Sequence, residues 1–212
     1  MIINPNDLDP QSVYKLLSGA VVPRPIAWVS TVSQDGIANI APYSFFTIAS
    51  RNPPTLVISV GVGTAERAGT VKDTLTNIRE QKDFVVNIVT ASLANEMQYS
   101  SENLPSDVDE FAHIGLTAID SEVVKAPRLL EAPISMELTL HDIIPIGEDH
   151  LILGRVVRYH VKDELYENGK INLEKLAPLG RLAGNYSPVE TIFSLPNEQL
   201  KQYLKSPVDR SK

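Results

Sequence analysis

The clearest pattern in the chain is an alternation of apolar and polar side chains over residues 134–141. The apolar positions are Ile134, Met136, Leu138 and Leu140. This period of two is typical of a β-strand with one buried face. Residues 151–161 follow across a turn at 147–150, so the two segments predict a hairpin. Asn168-Gly169 is a second tight-turn signal.

The N-terminal half predicts further strands. Residues 26–33 have a strand pattern and lead into a turn at Gln34-Asp35-Gly36. The return segment 37–50 is strand-like, but Pro42 removes a backbone donor in its middle. We therefore expect a bulge, a sheet edge or a break near residues 41–44. Buried strands are predicted at 55–61 and at 84–89, where β-branched residues are frequent.

Helical patterns are short and few. Val71, Leu75 and Ile78 have helical spacing and predict a helix within 70–82. Ser92 is placed to cap a helix that continues to about Ser100. Residues 103–110 are expected to form a loop or a short capped turn. A C-terminal helix, interrupted by Pro196, is predicted over 189–204.

Strands at short spacing with few helices predict a closed antiparallel β-barrel instead of a doubly wound sheet. A chain of 212 residues can bury roughly 70% of the surface that its unfolded form exposes, so one core suffices. We expect a single domain over residues 1–212, with a helical extension at the C-terminus. No internal repeat or linker interrupts the pattern.

Composition narrows the possible functions. The chain has no cysteine, which excludes disulfides, thiolate nucleophiles and Cys-ligated clusters, so redox chemistry would need a bound cofactor. A net charge of −7 and scattered Lys and Arg residues argue against nucleic-acid binding. No apolar stretch is long enough to cross a membrane, and the N-terminus lacks a secretory pattern. A cytoplasmic location is expected.

Several common motifs are missing from the sequence. The four histidines lack the spacing of a zinc site, so no metal is predicted. Gly61-Val-Gly63 follows a predicted strand, but Glu66 stands where a dinucleotide fingerprint requires its third glycine. Neither a Gly-x-Ser-x-Gly elbow nor a phosphate-binding P-loop occurs. The commonest dehydrogenase, hydrolase and NTPase interpretations therefore fail.

Two weaker features remain. The predicted helix start near Lys72 offers backbone donors and a cation to a phosphate, although the Asp73 carboxylate would compete for those donors. The strand break at Pro42 would leave backbone groups of Ala41, Tyr43 and Ser44 available to the edge of a planar polar ring. The alternative is an ordinary bulge, with Phe45 and Phe46 as core residues.

A set of motifs in fixed order resembles the flavin reductase-like, FMN-binding split-barrel family. The motifs are Arg24-Pro-Ile-Ala-Trp-Val-Ser-Thr31, Asp35-Gly36, Asn39-Ile-Ala-Pro-Tyr-Ser-Phe-Phe46, Lys72-Asp-Thr74, Asn77-Ile78, Phe84-Val-Val-Asn87, Asp109-Glu-Phe111, Gly115-Leu116, Glu137, Gly180-Arg181 and Asn185-Tyr186. They cover nearly the whole chain. The most similar branch contains flavoredoxins and the reductase components of two-component flavin monooxygenases.

This resemblance implies a mainly β, Greek-key-like split barrel that forms a homodimer and binds FMN near the subunit interface. The residues implied in FMN binding fall into three groups. The first is Ser30 and Thr31 near the ribityl phosphate, with Asn39, Ala41, Pro42, Tyr43, Ser44 and Phe45 along the flavin ring. The second is Ser59, Gly61, Lys72, Asp73 and Thr74 around the phosphate and ribityl chain. The third, Arg181, Asn185 and Tyr186, would close the pocket.

The resemblance also implies a function. We expect an NAD(P)H:flavin oxidoreductase that supplies reduced flavin or electrons to a partner, such as a flavin-dependent monooxygenase. Two alternatives stay open: an electron-transfer flavoprotein that never meets a nicotinamide, and a flavin-binding protein without turnover. Because flavin carries the hydride chemistry itself, no protein acid or base is predicted. The sequence does not distinguish NADH from NADPH.

Overall fold

Seven antiparallel strands form the main sheet of the structure, a computed structural model that describes residues 1–63 and 68–194. These strands are β1 (Ala27–Val32), β2 (Ala38–Tyr43), β3 (Phe46–Arg51), β4 (Pro54–Val60), β5 (Asp83–Ile88), β8 (Ile134–Ile146) and β9 (Asp149–Val161). Three two-stranded ribbons complete the β-structure: β6 (Ala118–Ile119) with β7 (Arg128–Leu129), β10 (Tyr166–Glu167) with β11 (Lys170–Ile171), and β12 (Leu179–Arg181) with β13 (Tyr186–Pro188).

The order of the main sheet is β2-β1-β5-β8-β9-β4-β3. Its two end strands, β2 and β3, are consecutive in the chain and are joined by Ser44 and Phe45. The predicted hairpin is confirmed as β8 and β9, which pair from Ile134 opposite Val161 to Ile146 opposite Asp149. The prediction of a mainly β, antiparallel split barrel with few helices is confirmed.

The described residues form five short α-helices around the sheet: α1 (Pro10–Ala20), α2 (Asp73–Gln81), α3 (Ala94–Tyr99), α4 (Glu110–Ile114) and α5 (Leu173–Leu176). The predicted helix within 70–82 is α2, and the helix expected after Ser92 is α3. The sequence pattern did not indicate α1, although Asp9 caps it by accepting the Ser12 amide and Pro10 opens its first turn. It also placed a loop up to Glu110, where α4 begins behind its cap Asp109.

The predicted C-terminal helix over 189–204 is only partly covered by the structure. Residues 189–194 have no regular secondary structure. Residues 195–204 lie outside the described part of the chain, so that part of the prediction stays a prediction.

Apolar side chains are buried on both faces of the sheet. On β1, Ala27 and Val29 join a core with Phe84 and Leu138, whereas Trp28 faces a second core with Phe111. Both faces of β1 are therefore covered, which explains why Ala27, Trp28 and Val29 form an apolar run instead of an alternating pattern.

Pro42 lies inside β2, opposite Trp28, and the strand ends one residue later. The expectation of a sheet edge is confirmed, because β2 is the outermost strand on its side. An edge strand tolerates proline since the missing amide costs no inter-strand hydrogen bond. The chain then leaves the ladder for two residues before β3 begins at Phe46.

The prediction that β8 buries only one face is wrong at Glu137, which is fully buried. The segment 121–126 covers this face, and the Glu137 carboxylate accepts the amides of Glu122, Val123 and Val124 together with His160 Nε2. Burial alone would raise the pKa of Glu137, but these hydrogen bonds outweigh it and hold the pKa below its usual value. A charged side chain thus ties a surface segment onto the sheet.

One glycine is required by close packing between strands. A β-carbon on Gly154 would lie 2.7 Å from Phe84 Cε1 and 2.9 Å from Leu138 Cδ2, and both side chains are fully buried. We expect Gly154→Ala to lower the free energy of unfolding by about 2 kcal/mol through overpacking. Urea denaturation measures this change.

The matched control is Gly19→Ala in α1, where no atom lies within 4 Å of the added carbon. Alanine should raise stability there by about 0.5 to 1 kcal/mol, because it has the higher helix propensity. Equal stabilities of the two variants would contradict the packing argument.

Candidate functional site

A polar groove opens between the end of β2, the start of α2 and the segment after α3. It encloses about 70 Å³. Its lining includes seven of the predicted flavin-site residues: Asn39, Ala41, Pro42, Tyr43, Lys72, Asp73 and Thr74. Three segments that are distant in sequence therefore meet here.

Buried hydrogen bonds fix the floor of the polar groove. The side-chain oxygen of Asn39 accepts Thr31 Oγ1 at 3.2 Å and Thr74 Oγ1 at 2.9 Å. Asn77 Nδ2 donates to Thr31 Oγ1 at 3.0 Å. All four side chains are buried, so these bonds link β1, β2 and α2 with little competition from water.

Tyr43 contributes a buried hydroxyl at the polar groove. The residue is 6% exposed, and its hydroxyl forms no hydrogen bond with any residue that the structure describes. Burial raises the pKa of Tyr43 far above its ordinary value; the nearby Thr74 hydroxyl acts in the opposite direction, and Glu110 and Asp73 raise it further. The phenol is therefore a neutral donor, and a buried donor without a partner is costly.

Lys72 stands where α2 begins. It occupies the N-cap position with an extended backbone, and its side chain makes no capping hydrogen bond. Its ammonium lies 5.5 Å from the centre of the Tyr43 ring. From the sequence, the Asp73 carboxylate was expected to cap the helix and compete for its first backbone amides. In the structure, Asp73 is the first helical residue and not the N-cap. The helix start thus presents a cation beside the first-turn amides.

Ser30 and Thr31 are adjacent in sequence but point to opposite faces of β1. Thr31 supports the polar groove from below through Asn39. Ser30 is fully buried elsewhere: its hydroxyl donates to the Pro127 carbonyl and accepts Asn87 Nδ2. Because this hydroxyl is already used and does not reach the groove, we leave Ser30 out of the flavin site proposed below.

A second depression, the apolar cleft, lies beyond the end of β2 and measures about 650 Å³. It contains three more predicted residues, Ser44, Phe45 and Ser59. Much of its wall is apolar, formed by Leu17, Val21, Val57, Ile146 and Leu151. Clefts of this size and lining are typical of cofactor sites. Gly61 lines neither depression; a β-carbon there would lie 2.9 Å from Asp149 Oδ1.

Arg181, Asn185 and Tyr186 form a separate cluster on the β12–β13 ribbon. The Arg181 guanidinium stacks 4.3 Å from the centre of the Tyr186 ring, and the Tyr186 hydroxyl donates to Gln98 Oε1. Asn185 is exposed. These three residues line neither the polar groove nor the apolar cleft.

The structure adds residues that the sequence analysis did not select. Glu110 is buried at the polar groove, where its carboxylate accepts the Ile40 amide at 2.7 Å, and residues 100–104 line the same groove. Arg24 is buried at the apolar cleft. Both Glu110 and Arg24 belong to quoted motifs, but nothing in the spacing of either motif indicates its position.

Two kinds of feature are absent from the described residues. Across residues 1–63 and 68–194, no helix is long and apolar enough to span a membrane. In the same part of the chain, no group of three or more His, Asp and Glu side chains converges as metal ligands would.

Comparison with known proteins identifies related chains. The model of the flavin reductase like domain matches residues 18–189. The crystal structure of nitrilotriacetate monooxygenase component B from Bacillus cereus is 42% identical, with a TM-score of 0.88 over 92% of this chain and 98% of that chain. The 2-nitrobenzoate 2-nitroreductase of Pseudomonas fluorescens is 31% identical, with a TM-score of 0.84 over 92% and 95%.

A more distant structure supports the architecture. A protein with a split barrel domain from Shewanella frigidimarina is 19% identical, with a TM-score of 0.79 over 90% of this chain and 94% of that chain. At this identity, the likeness concerns the fold alone. It agrees with the antiparallel sheet described above.

The unpaired Tyr43 hydroxyl generates a prediction for the protein without added ligand. Tyr43→Phe removes a buried donor that lacks a partner, so the free energy of unfolding should rise by about 1 kcal/mol. Tyr186→Phe is the control, because that hydroxyl donates to Gln98 at 2.6 Å and its loss should bring no gain. Urea denaturation of both variants measures the difference. A destabilised Tyr43→Phe variant would show that the hydroxyl is already satisfied.

Proposed function

The chain belongs to the flavin reductase like domain family, and from this premise we propose that it binds FMN and acts as an NAD(P)H:flavin oxidoreductase. It would supply reduced flavin or electrons to a partner enzyme. The observation that carries the proposal is the pairing of a polar groove with an apolar cleft along one continuous segment, residues 39–46.

The residues present fit the two chemically different parts of FMN. The polar groove is too small for the whole cofactor but suits its phosphate end, with Lys72 and the α2 amides as donors. The unpaired Tyr43 hydroxyl supplies one more donor there. The apolar cleft is large enough for the flavin ring, which would lie against Phe45 and near Ser44. Thr31 and Thr74 would act through Asn39 by fixing the groove floor.

Bound flavin supplies the hydride and electron chemistry. The protein's own contribution is then to bind the phosphate, orient the ring and exclude water from the buried side. This division of labour agrees with the donors and apolar walls that the site residues offer. A monooxygenase partner is proposed because a similar structure is a monooxygenase component B.

The phosphate part of the proposal is tested with Lys72→Ala. Loss of a charge-assisted contact should weaken FMN binding by about 1.5 to 3 kcal/mol, which is roughly tenfold to a few hundredfold in the dissociation constant. Riboflavin, which lacks the phosphate, should bind the wild type more weakly than FMN does, and its affinity should barely change in the variant. Fluorescence quenching titrations measure both affinities.

The control for this experiment is Lys15→Ala, which removes an exposed lysine on α1 and should leave both affinities unchanged. Raised salt should weaken FMN binding to the wild type more than to Lys72→Ala, because it screens the charge pair. FMN affinity within twofold of wild type in Lys72→Ala would place Lys72 outside the phosphate site.

The reductase activity itself is tested by anaerobic stopped-flow mixing of the FMN-loaded protein with NADH and with NADPH. Rapid bleaching of the flavin absorbance by either nucleotide is the expected result, because an open ring face allows close hydride approach. No bleaching with either would refute the reductase and favour an electron carrier served by a protein donor, or a flavin-binding protein without turnover.

A homodimer is also proposed. Ile48 and Tyr159 are 70% and 58% exposed beside a depression of about 600 Å³ that Met136 and Val156 also line. Covering such apolar surface favours association, and two-fold homodimers are the commonest assembly. In this arrangement Arg181, Asn185 and Tyr186 would reach the flavin of the second subunit.

Light scattering tests the homodimer and should give about twice the 23.3 kDa mass of the chain. A monomer that still binds FMN tightly would remove the dimer. It would also remove Arg181, Asn185 and Tyr186 from the proposed site.

A further inference from the structure

Arg24 is a buried cation without a carboxylate partner in the part of the chain that the structure describes. The residue is 5% exposed, and no carboxylate of those residues lies within 4 Å of its guanidinium. Burial of a charge is costly unless an opposite charge or hydrogen bonds compensate it. The surroundings of Arg24 therefore need an explanation.

Neutral groups hold one side of the Arg24 side chain. Its Nη1 donates to the carbonyls of Ser18 and Val21, at 2.7 and 2.8 Å, and these carbonyls lie at the end of α1. Its Nε donates to Ser44 Oγ at 3.3 Å. The negative end of a helix dipole offsets part of the charge. Nη2, however, donates to none of the residues described.

The Arg24 side chain forms part of the wall of the apolar cleft, with its guanidinium carbon 5.6 Å from the centre of the Phe45 ring. Two of the described residues that line this cleft carry charge, Arg24 and Asp149. Asp149 accepts a hydrogen bond from Ser59 at 3.4 Å and lies more than 4 Å from Arg24. The cleft thus presents one cation, which has no direct ion pair and lies beside Phe45, and one carboxylate, which lies beside Ser59.

We propose that Arg24 is a positioning residue that makes the protein bind the reduced, anionic form of the flavin more tightly than the oxidised form. This inference rests on the proposed function, which places the flavin ring in the apolar cleft. A cation beside the ring favours a negatively charged ring over a neutral one. A higher midpoint potential for bound FMN than for free FMN follows, because the potential reports the ratio of the two affinities.

Tighter binding of the reduced flavin also affects how a partner receives electrons, either as released reduced flavin or by direct transfer. A protein that binds the reduced cofactor more tightly than the oxidised one retains it after reduction. Electrons would then pass to a docked acceptor more readily than free reduced flavin would leave. Direct transfer is therefore the mode that Arg24 favours.

The test measures the midpoint potential of FMN bound to the full-length protein by anaerobic dye-equilibrated titration. In Arg24→Gln, the ratio of reduced to oxidised affinity should fall at least about tenfold, which lowers the two-electron potential by about 30 mV. Arg24→Lys keeps the charge and should retain most of the wild-type potential. Arg158→Gln, which removes an exposed arginine on β9, should leave the potential unchanged.

Arg24→Gln also loses hydrogen bonds to the end of α1 and is at risk of misfolding. Val21→Glu is the second variant, because Val21 is 60% exposed, lines the cleft and lies beside the guanidinium. A carboxylate there neutralises Arg24 without removing it, so the potential should fall in the same direction.

The outcomes distinguish the two proposals. Wild-type protein that fails to bind FMN refutes the proposed function. If the wild type binds FMN but Arg24→Gln leaves its midpoint potential unchanged, the role of Arg24 is refuted and the proposed function is not. If Arg24→Gln does not fold, an unchanged potential in Val21→Glu leads to the same conclusion. A potential that falls equally in Arg158→Gln would also refute it, because the effect would then reflect total charge.

Discussion

The side chain of Asn39 holds the candidate site together. One amide oxygen accepts hydroxyl groups from β1 and α2 at the same time, through Thr31 and Thr74. Because the side chains are buried, the loss of this oxygen would remove the acceptor of two hydroxyl protons, at a cost of about 1 to 3 kcal/mol each. The start of α2, with Lys72, consequently has a fixed position relative to the end of β2. Every contact proposed for the phosphate depends on that position.

The short connection between β2 and β3 separates two environments. Residues up to Tyr43 line the polar groove, and residues from Ser44 onward line the apolar cleft. Pro42 and the sheet edge make this separation possible. Because β2 is an end strand and Pro42 has no amide proton, the chain leaves the sheet here without an unpaired amide at Pro42. A ligand that matches both environments must have a charged polar end and a large apolar body. FMN has this construction, and simple phosphates or purely apolar molecules do not.

The sequence predicted the strands and the β8–β9 hairpin because their periodicity and turn residues are local signals. It did not indicate α1 and α4. Each of these helices depends on one capping aspartate, Asp9 or Asp109, and aspartates are common throughout the chain. Glu137 appeared as the polar face of a strand, but its burial depends on a segment that follows β6 and wraps back over the sheet. Arg24 likewise becomes significant only when the fold shows that its surroundings lack a carboxylate. Local sequence patterns do not indicate which charged side chains a distant segment of the chain will cover.

Charge placement explains how an acidic protein could bind an anionic cofactor. With a net charge of −7, the overall field repels FMN at long range, although salt at physiological strength screens it beyond about 8 Å. Attraction must therefore come from cations close to the ligand. Lys72 stands at the polar groove and Arg24 at the apolar cleft, and the Tyr43 pKa, raised by burial, keeps a neutral donor between them. Binding of this kind selects a ligand by where its charges lie and not by how many it carries.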